Sequence, residues 1–434
     1  MILLAHTITS RLRYIADLIA TQITGRPFII TSNLDEYKAN TGARINYTAN
    51  PVMPGEYWVQ PHTLLFEKGI AEVDTRCREH DGMKFFFTTG GDLPFDIFAA
   101  SFYLLSRYEE YLPHLHDSYG RYAHDQSLAH RESFLQQPLV NKWILFFCSE
   151  LRTRFPDITF DNPEQQFRFL PTYDIDEAFS YRHKSLVRVT GAVGKAVLKG
   201  QFSQLSERWQ VLNRTKQDPF YAYDWMDVLH GAYRLKPRYF FLLAANTGKY
   251  DRNNLPSEPA MQALVKRHAD KYDIGIHPSW QSGDDDGLLL NELSRLEEIT
   301  GKKINSSRQH YIRFNLPETF RKLLDAGIRE DYSMGYGSIN GFRASYAGSF
   351  YWYDLLKEEK TTLLLHPFCY MEANSFFEQH YTATQALDEM RHYYQEVKKV
   401  SGLLITIWHN SFLGTGELYK GWREVYQQFM EEIS

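Results

Sequence analysis

A chain of 434 residues is long enough to form two or three domains, each with a buried core. Its hydrophobic fraction of 43% and its charged fraction of 23% are those of an ordinary globular protein. The formal net charge of -5 gives no indication of a surface for nucleic acid or for an anionic membrane, so neither partner is expected. The three cysteines are widely scattered, which argues against a disulfide framework or a zinc site made of thiolates.

The amino terminus does not have the pattern of a secretory signal. It lacks a basic start, a long apolar segment and a small-residue cleavage site. No apolar run approaches the roughly 18 residues that span a bilayer. We therefore expect a cytoplasmic protein without a transmembrane segment, although a true start upstream of Met1 would leave room for an export signal.

Residues 1–160 are predicted to form a separate α/β domain. Helices are predicted from apolar spacing at 10–22, 94–111 and 139–155. Short strands are predicted at 27–31, 57–59, 63–66 and 84–88. The histidines of this region lie in polar loop sequence and are interpreted as surface residues. No group of reactive residues stands out, so we expect an accessory domain of unknown role that modulates access to partner or substrate.

Strands and helices alternate between residues 165 and 434, after a turn-rich linker at 154–163. Strands are predicted at 167–176, 236–244, 272–277, 303–308, 327–332, 361–366 and 403–408. Helices with a period of 3.6 residues are predicted at 259–271, 288–300, 317–326 and 384–400. Alternation of this length predicts a parallel sheet, and about seven such units predict a (β/α) barrel, distorted or incomplete.

Two aspartates end the first of these strands. Side chains alternate along a strand, so Asp174 and Asp176 point to the same side. Two carboxylates held that close repel each other unless a cation or a shared proton relieves them. They could be solvated loop residues, but their position directly after a hydrophobic strand favours a metal site or an acid–base site.

Other reactive side chains also fall at strand ends, where a barrel of this kind carries its chemistry. The positions are Asp174, Asp176, Asn246, His277, Arg308, His310, Asp331, His366 and His409. No single member is decisive, because a lone histidine at a strand end is more often structural. A mixed aspartate and histidine set suits a divalent ion such as zinc, with one position left open for water.

Four short motifs resemble, in order and spacing, those of the polysaccharide deacetylases. They are Thr-Tyr-Asp-Ile-Asp ending at Asp176, Ile-Gly-Ile-His-Pro-Ser around His277, Ser-Arg-Gln-His-Tyr ending at Tyr311, and Ile-Trp-His-Asn around His409. The resemblance covers about residues 165–434. It is greatest to a divergent bacterial branch that carries an amino-terminal extension like this one.

The resemblance implies roles for five residues. Asp174 would be the catalytic base, held by Arg308, and His409 the general acid. Asp176 and His277 would be ligands of a divalent metal, zinc or alternatively cobalt, manganese or nickel. The implied reaction is hydrolysis of an N-acetyl group, or less readily an O-acetyl group, on an acetylated glycan.

This sequence departs from the family pattern at the second metal histidine. Gln281 stands in its place, and glutamine is a poor zinc ligand. His310 is the nearest replacement, because it lies two residues beyond Arg308 on the same side of an extended segment. Two alternatives stay open: Gln281 is a weak ligand or holds a ligating water, and His310 only caps the strand end. The motif around Arg308 also lacks the usual proline of the family.

The segment 341–353 is rich in aromatic and glycine residues, which would suit a lid that stacks on sugar rings. The predicted substrate contacts are Tyr311, Asp331, Arg343 and Trp352. The alternative for this segment is that Phe350 and Trp352 pack against the barrel.

Two other functions remain open. A barrel whose metal motif has degraded could bind a glycan or a protein partner without catalysis. A metal-dependent amidohydrolase could act on a small C–N bond outside sugars. Metal content distinguishes the first from an enzyme, and a substrate screen distinguishes the second.

Overall fold

The computed structural model of the protein describes residues 1–80, 82–162, 165–184, 190 and 202–433. Its amino-terminal part contains a four-stranded parallel sheet in the order β2-β1-β3-β4. The strands are β1 (Ile2–Leu4), β2 (Ile29–Thr31), β3 (Arg44–Asn46) and β4 (Tyr57–Trp58). A separate antiparallel pair follows, β5 (Arg78–His80) and β6 (Met83–Phe85). The helices are Ser10–Thr24, Leu34–Ala39, Ile97–Leu105, Leu128–Arg131 and Leu139–Arg154.

Two predicted elements of the amino-terminal part are wrong. The strand expected at 63–66 is a short 3-10 helix. Side chains satisfy its carbonyls, because Arg11 donates to Leu64 and Thr9 donates to Leu65, so no strand partner is needed. The single helix expected at 94–111 ends at Leu105, because Arg107 adopts left-handed backbone angles, with φ at 54°.

The second sheet has nine strands in the order β12-β13-β11-β10-β9-β8-β7-β15-β14. The strands are β7 (Arg168–Ile175), β8 (Arg238–Phe241), β9 (Asp273–Ile276), β10 (Ser306–Ser307), β11 (Glu330–Asp331), β12 (Phe350–Asp354), β13 (Glu359–Leu365), β14 (Tyr370–Met371) and β15 (Leu403–His409). Among the described residues, β12 and β13 are the only neighbouring strands of this sheet that pair antiparallel. The helices are Phe202–Leu212, Tyr223–Ala232, Pro259–Lys271, Asp286–Thr300, Glu318–Asp325, Ala383–Lys399 and Trp422–Ile433.

The structure establishes a mixed α/β fold, but it does not establish a closed barrel. The last long strand, β15, lies beside β7, with His409 opposite Asp174, as the ends of a barrel would. The ladder nevertheless ends at β12 on one side and at β14 on the other, and no pairing of described residues joins those ends. None of the helices in the described ranges is long and apolar enough to cross a bilayer.

The amino-terminal part packs against the edge of the large sheet. In the helix Ser10–Thr24, the Ser10 hydroxyl lies 2.8 Å from that of Tyr353, and Tyr14 donates to the carbonyl of Tyr351 at 2.8 Å. These contacts cover the exposed side of β12, which would otherwise present unpaired backbone groups. A common hydrophobic core runs through both parts of the chain. A domain boundary near residues 160–165 stays a prediction.

Candidate metal centre and cavity

A cavity of about 650 Å³ opens where β7, β9, β10 and β15 end. Parallel strands end at one edge of a sheet, so residues far apart in sequence meet there. Six of the predicted site residues line this cavity: Asp174, Asp176, His277, His310, Tyr311 and His409.

Three of these side chains form a group that could hold a metal ion. Asp176 directly follows β7, and His277 directly follows β9. His310 lies in a 3-10 turn after β10. One potential ligand atom from each residue lies within 4.8 Å of the other two. Nε2 of His277 is 3.1 Å from Oδ1 of Asp176, and Nε2 of His310 is 3.4 Å from Oδ2.

The orientation of His277 points one ring nitrogen at Asp176. Its Nδ1 lies 2.6 Å from the carbonyl oxygen of Arg308, so Nδ1 carries a proton and donates it. Nε2 therefore faces Oδ1 of Asp176, a buried oxygen that has no hydrogen-bond partner among the described residues. Two acceptors that face each other repel unless a metal ion or a further proton relieves them. The residues present fit a divalent ion such as zinc.

His310 is oriented in a second way that is common to metal-binding histidines. Its Nδ1 lies 3.0 Å from Oδ1 of Asp251, a carboxylate that is 1% exposed. Asp251 also accepts hydrogen bonds from the backbone of Trp280 and from the amide of Gln281. Burial lowers the pKa of His310, but Asp176 and Asp251 outweigh it and raise that pKa to about 9. A metal ion at this place would take over the position of that proton.

Asp174 and Arg308 form a buried ion pair beside the group. Nη1 of Arg308 donates to Oδ1 of Asp174 at 2.9 Å, and Nε donates to the carbonyl of Tyr332 at 3.0 Å. The guanidinium also lies over the ring of Phe240, 4.5 Å from its centroid. Oδ2 of Asp174, the other oxygen, is 3.9 Å from Nε2 of His277. The carboxylate is therefore fixed on one side and faces the histidines on the other.

His409 completes the group from the end of β15. Its Nδ1 is 2.7 Å from Oε1 of Glu372, which also accepts the backbone N–H of His409 at 2.7 Å. Its Nε2 is 3.4 Å from Oδ2 of Asp176. Burial lowers the pKa of His409, but Glu372 and Asp176 raise it well above the usual value. Each ring nitrogen of His409 thus faces a carboxylate, which favours the charged form of the imidazole.

Sequence reasoning missed two residues of this arrangement, Asp251 and Glu372. Asp251 lies in the loop after β8, whereas the prediction took Asn246, which is exposed and does not line the cavity. Glu372 follows β14, a strand of two residues without a recognisable pattern. An acidic residue after a strand was the available signal for both. Asp251 was missed because it lies far along the loop after β8, and Glu372 was missed because β14 is too short to be recognised.

Two predicted substrate contacts lie in the interior and not in the cavity. Asp331 is fully buried and accepts hydrogen bonds from the hydroxyls of Ser307 and Ser333. Arg343 is 1% exposed and donates to both carboxylate oxygens of Glu110. These contacts occupy both side chains, so their positions do not fit substrate binding.

The predicted aromatic lid is part of the sheet instead. Phe350 and Trp352 lie in β12 and are 2% and 1% exposed, and the indole N–H of Trp352 lies 3.3 Å from the hydroxyl of Tyr111. The end of the segment 341–353 is therefore a strand, β12, which the amino-terminal part contacts through Ser10, Tyr14 and Tyr111. Trp352 does not reach the cavity, and the lid prediction is wrong.

The amino-terminal part contributes to the cavity in its place. Ser118, Tyr119 and Arg121 line it, together with Tyr250 and Tyr311 from the second part. No sequence pattern predicted this contribution of residues 117–121.

Comparison with known proteins gives limited information. Residues 1–156 match the model of a family of unknown function, DUF7033. This is less than half of the 434 residues, so it does not assign the chain as a whole to a family. No curated protein matches the chain.

Three solved structures are similar at a low level. A Mycobacterium smegmatis protein assigned to the polysaccharide deacetylases has 12% identity and a TM-score of 0.40, covering 63% of this chain and 86% of its own. A polysaccharide deacetylase from Bacillus cereus has 10% identity and a TM-score of 0.31, covering 62% and 88%. A Pseudomonas aeruginosa protein assigned to the same group has 11% identity and a TM-score of 0.39, covering 62% and 86%. Similarity this weak carries no argument about the reaction of this chain.

Fold and geometry together define an α/β protein with a candidate metal centre of one aspartate and two histidines at the ends of parallel strands.

Proposed function

We propose that the protein is a metal-dependent hydrolase that removes acetyl groups, N-acetyl groups foremost, from a glycan. The observation that carries the proposal is the group of Asp176, His277 and His310, in which Nε2 of His277 faces Oδ1 of Asp176 at 3.1 Å. The sequence motifs that end β7, β10 and β15 support the same reaction. We infer that the large sheet is an incomplete (β/α) barrel, as this class of enzyme would require.

Asp176, His277 and His310 would hold the metal, which we infer to be zinc because imidazole and carboxylate ligands suit it. When bound, such an ion supplies Lewis-acid polarisation of the acetyl carbonyl and of a water molecule. Asp251 keeps the second nitrogen of His310 free for this purpose. The carbonyl of Arg308 does the same for His277.

Two acid–base residues flank the ligands. Arg308 binds Oδ1 of Asp174, which leaves Oδ2 to accept a proton from the attacking water. His409, charged through Glu372 and Asp176, donates a proton from Nε2 to the departing amine. Amide cleavage needs both transfers, because a free amide anion is too poor a leaving group. A base and an acid that line one cavity therefore suit N-acetyl hydrolysis.

A metal reconstitution experiment tests the proposal. The protein is stripped with a chelator and reloaded with zinc, cobalt, manganese or nickel. Then acetate release is measured on acetylated oligosaccharides, and C–N bond hydrolysis is measured by product analysis on a panel of cyclic ureides and small amides. We expect one metal ion per chain and acetate release from sugars that depends on it. Hydrolysis confined to the ureides or small amides would place the enzyme in another substrate class. Stoichiometric metal with no turnover on any substrate would contradict the proposal.

A further inference from the structure

The cavity wall contains a turn from the amino-terminal part of the chain, residues 117–121. Oδ1 of Asp117 accepts the backbone N–H groups of Tyr119 and Arg121 at 2.9 and 3.0 Å. The N–H of Gly120 bonds to the carbonyl of Asp117 at 2.9 Å. The turn is thus held by its own first residue, and it presents Tyr119 toward the cavity.

Arg121 fastens this turn to the candidate metal centre. Its Nε donates to Oδ2 of Asp117 at 2.6 Å, and its Nη1 donates to the carbonyl of Tyr311 at 2.8 Å. The side chain is buried, and its guanidinium lies 4.7 Å from the centroid of the Tyr119 ring. Tyr311 is the direct neighbour of His310, a candidate ligand. One arginine therefore fixes Tyr119 relative to the metal-binding turn.

A glycine makes this contact possible. Gly337 lines the cavity next to Arg121, and a Cβ there would collide with the Arg121 guanidinium and lie 2.8 Å from the carbonyl oxygen of Tyr311. Any side chain at position 337 would push Arg121 away from the carbonyl of Tyr311. The contact therefore depends on the backbone at Gly337 as well as on the Arg121 side chain.

Four aromatic rings form a compact cluster at this wall. Tyr119 and Tyr311 stack with centroids 5.3 Å apart and planes at 27°, and Tyr250 stacks on Trp280 at 4.1 Å. The two pairs meet edge to face, with Tyr250 and Tyr311 5.3 Å apart. Tyr119, Tyr250 and Tyr311 line the cavity and are half-buried, so each keeps accessible surface. Fully buried rings would only pack in the core. Because Tyr119, Tyr250 and Tyr311 keep accessible surface, they form an apolar wall of the cavity.

We propose that Tyr119, on this wall, binds a sugar ring next to the ring that carries the acetyl group. This inference rests on the proposed function and deepens it, because it makes the substrate an oligosaccharide and makes the amino-terminal part a component of the substrate site. An aromatic ring offers apolar surface to the C–H face of a pyranose, and this contact does not need the phenol hydroxyl. The distance from Tyr311 to its neighbour His310, 4.7 Å between ring centroids, sets the wall within one sugar of the metal ligands.

Binding and turnover are measured separately to test the inference. The probes are pentasaccharides from chitin and from acetylated xylan, and N-acetylglucosamine as the monosaccharide. Pentasaccharide affinity is measured by calorimetry on metal-loaded full-length parent, Tyr119→Ala and Tyr119→Phe. Tyr351→Ala is the matched control, because Tyr351 is 41% exposed on β12 and does not line the cavity.

We expect Tyr119→Ala to weaken pentasaccharide binding by about tenfold, a change that one lost stacking contact produces. Tyr119→Phe and Tyr351→Ala should stay within about twofold of the parent, as should monosaccharide turnover and metal content in all variants. Parent-like pentasaccharide affinity in Tyr119→Ala would overturn the inference, and so would failure of the parent to bind either pentasaccharide. Pentasaccharide binding that depends on Tyr119 without any acetate release would uphold the subsite and refute the proposed function.

Discussion

Oδ1 of Asp251 lies 3.0 Å from Nδ1 of His310, and this contact turns the opposite ring nitrogen toward Asp176. The amide of Gln281 donates to the other oxygen of Asp251 at 3.0 Å. Gln281 therefore stands two contacts away from His310, with Asp251 between them. In this structure Gln281 supports the carboxylate that orients His310.

This arrangement predicts an order of effects on metal affinity. Asp251→Asn should weaken metal binding by about 10–100-fold, because residues that orient a ligating histidine contribute that much. His310→Ala should weaken it more, since it removes a ligand, and Gln281→Ala less, since Asp251 keeps two other contacts. Competition with a chromogenic chelator measures all three.

His392→Ala is the control for this series, because His392 is an exposed histidine on the helix Ala383–Lys399. Its affinity should equal that of the parent. If His310→Ala also binds metal like the parent, His310 is not a ligand. A larger loss in Gln281→Ala than in His310→Ala would show that the amide, or a water bound to it, fills the position.

Asp174→Asn tests the base. The amide keeps the shape of the carboxylate and its contact with Arg308, but it cannot accept a proton from water. Deacetylation should fall by roughly 10²-fold or more while metal content stays at the parent level. Asp270→Asn, an exposed aspartate of the helix Pro259–Lys271, should not change turnover. Near-parent activity of Asp174→Asn would assign the base to another residue.

The sequence predicted the residues that sit directly at strand ends. Asp174, Asp176, His277 and His409 meet because side-chain alternation and parallel strand order together determine which side chains share an edge. A strand of seven or eight mostly apolar residues, such as β15 or β7, carries that information locally.

The rest depended on contacts that no local pattern encodes. Asp251 reaches His310 through the path of a long loop, and Tyr119 reaches the cavity only because Arg121 bonds to Tyr311 across 190 positions of sequence. Trp352 was misassigned for the converse reason. An aromatic segment has the same sequence pattern whether it faces a cavity or, as here, packs against a helix from the other end of the chain.

The effect of removing His409 on turnover should depend on whether the leaving group needs a proton. In the proposed reaction, the His409 imidazole, beside Glu372 and Asp176, would protonate the departing amine. His409→Ala should therefore lower turnover of N-acetyl sugars by roughly 10²–10⁴-fold. Turnover of an activated ester such as a nitrophenyl acetate should fall far less, because a phenolate leaves without a proton. Measuring kcat/KM on both substrates decides it, and an equal loss on both would assign His409 a structural or ligand role instead.

The buried ion pairs around Glu110 should control stability at the joint between the two parts of the chain. Arg107 and Arg343 both donate to Glu110, and all three are nearly inaccessible to solvent. Arg343→Ala takes away one of the two cations that compensate the buried Glu110 carboxylate and leaves it with Arg107 alone, so it should lower the free energy of unfolding by about 3 kcal/mol. The exposed pair of Arg76 with Asp74 is the control, and Arg76→Ala should leave stability unchanged.

The same carboxylate gives this joint a pH dependence. Burial raises the pKa of Glu110, but Arg343 and Arg107 outweigh it and lower that pKa to about 2, from 4.5. A carboxyl group with a depressed pKa stabilises the fold fully above its unfolded pKa and loses that contribution as pH falls toward the folded one. Stability of the parent should therefore decline between pH 4.5 and about 2. Glu110→Gln should be less stable at neutral pH and show a flatter decline in urea unfolding across that range. An equally steep decline in Glu110→Gln would mean that other carboxyl groups produce the acid sensitivity.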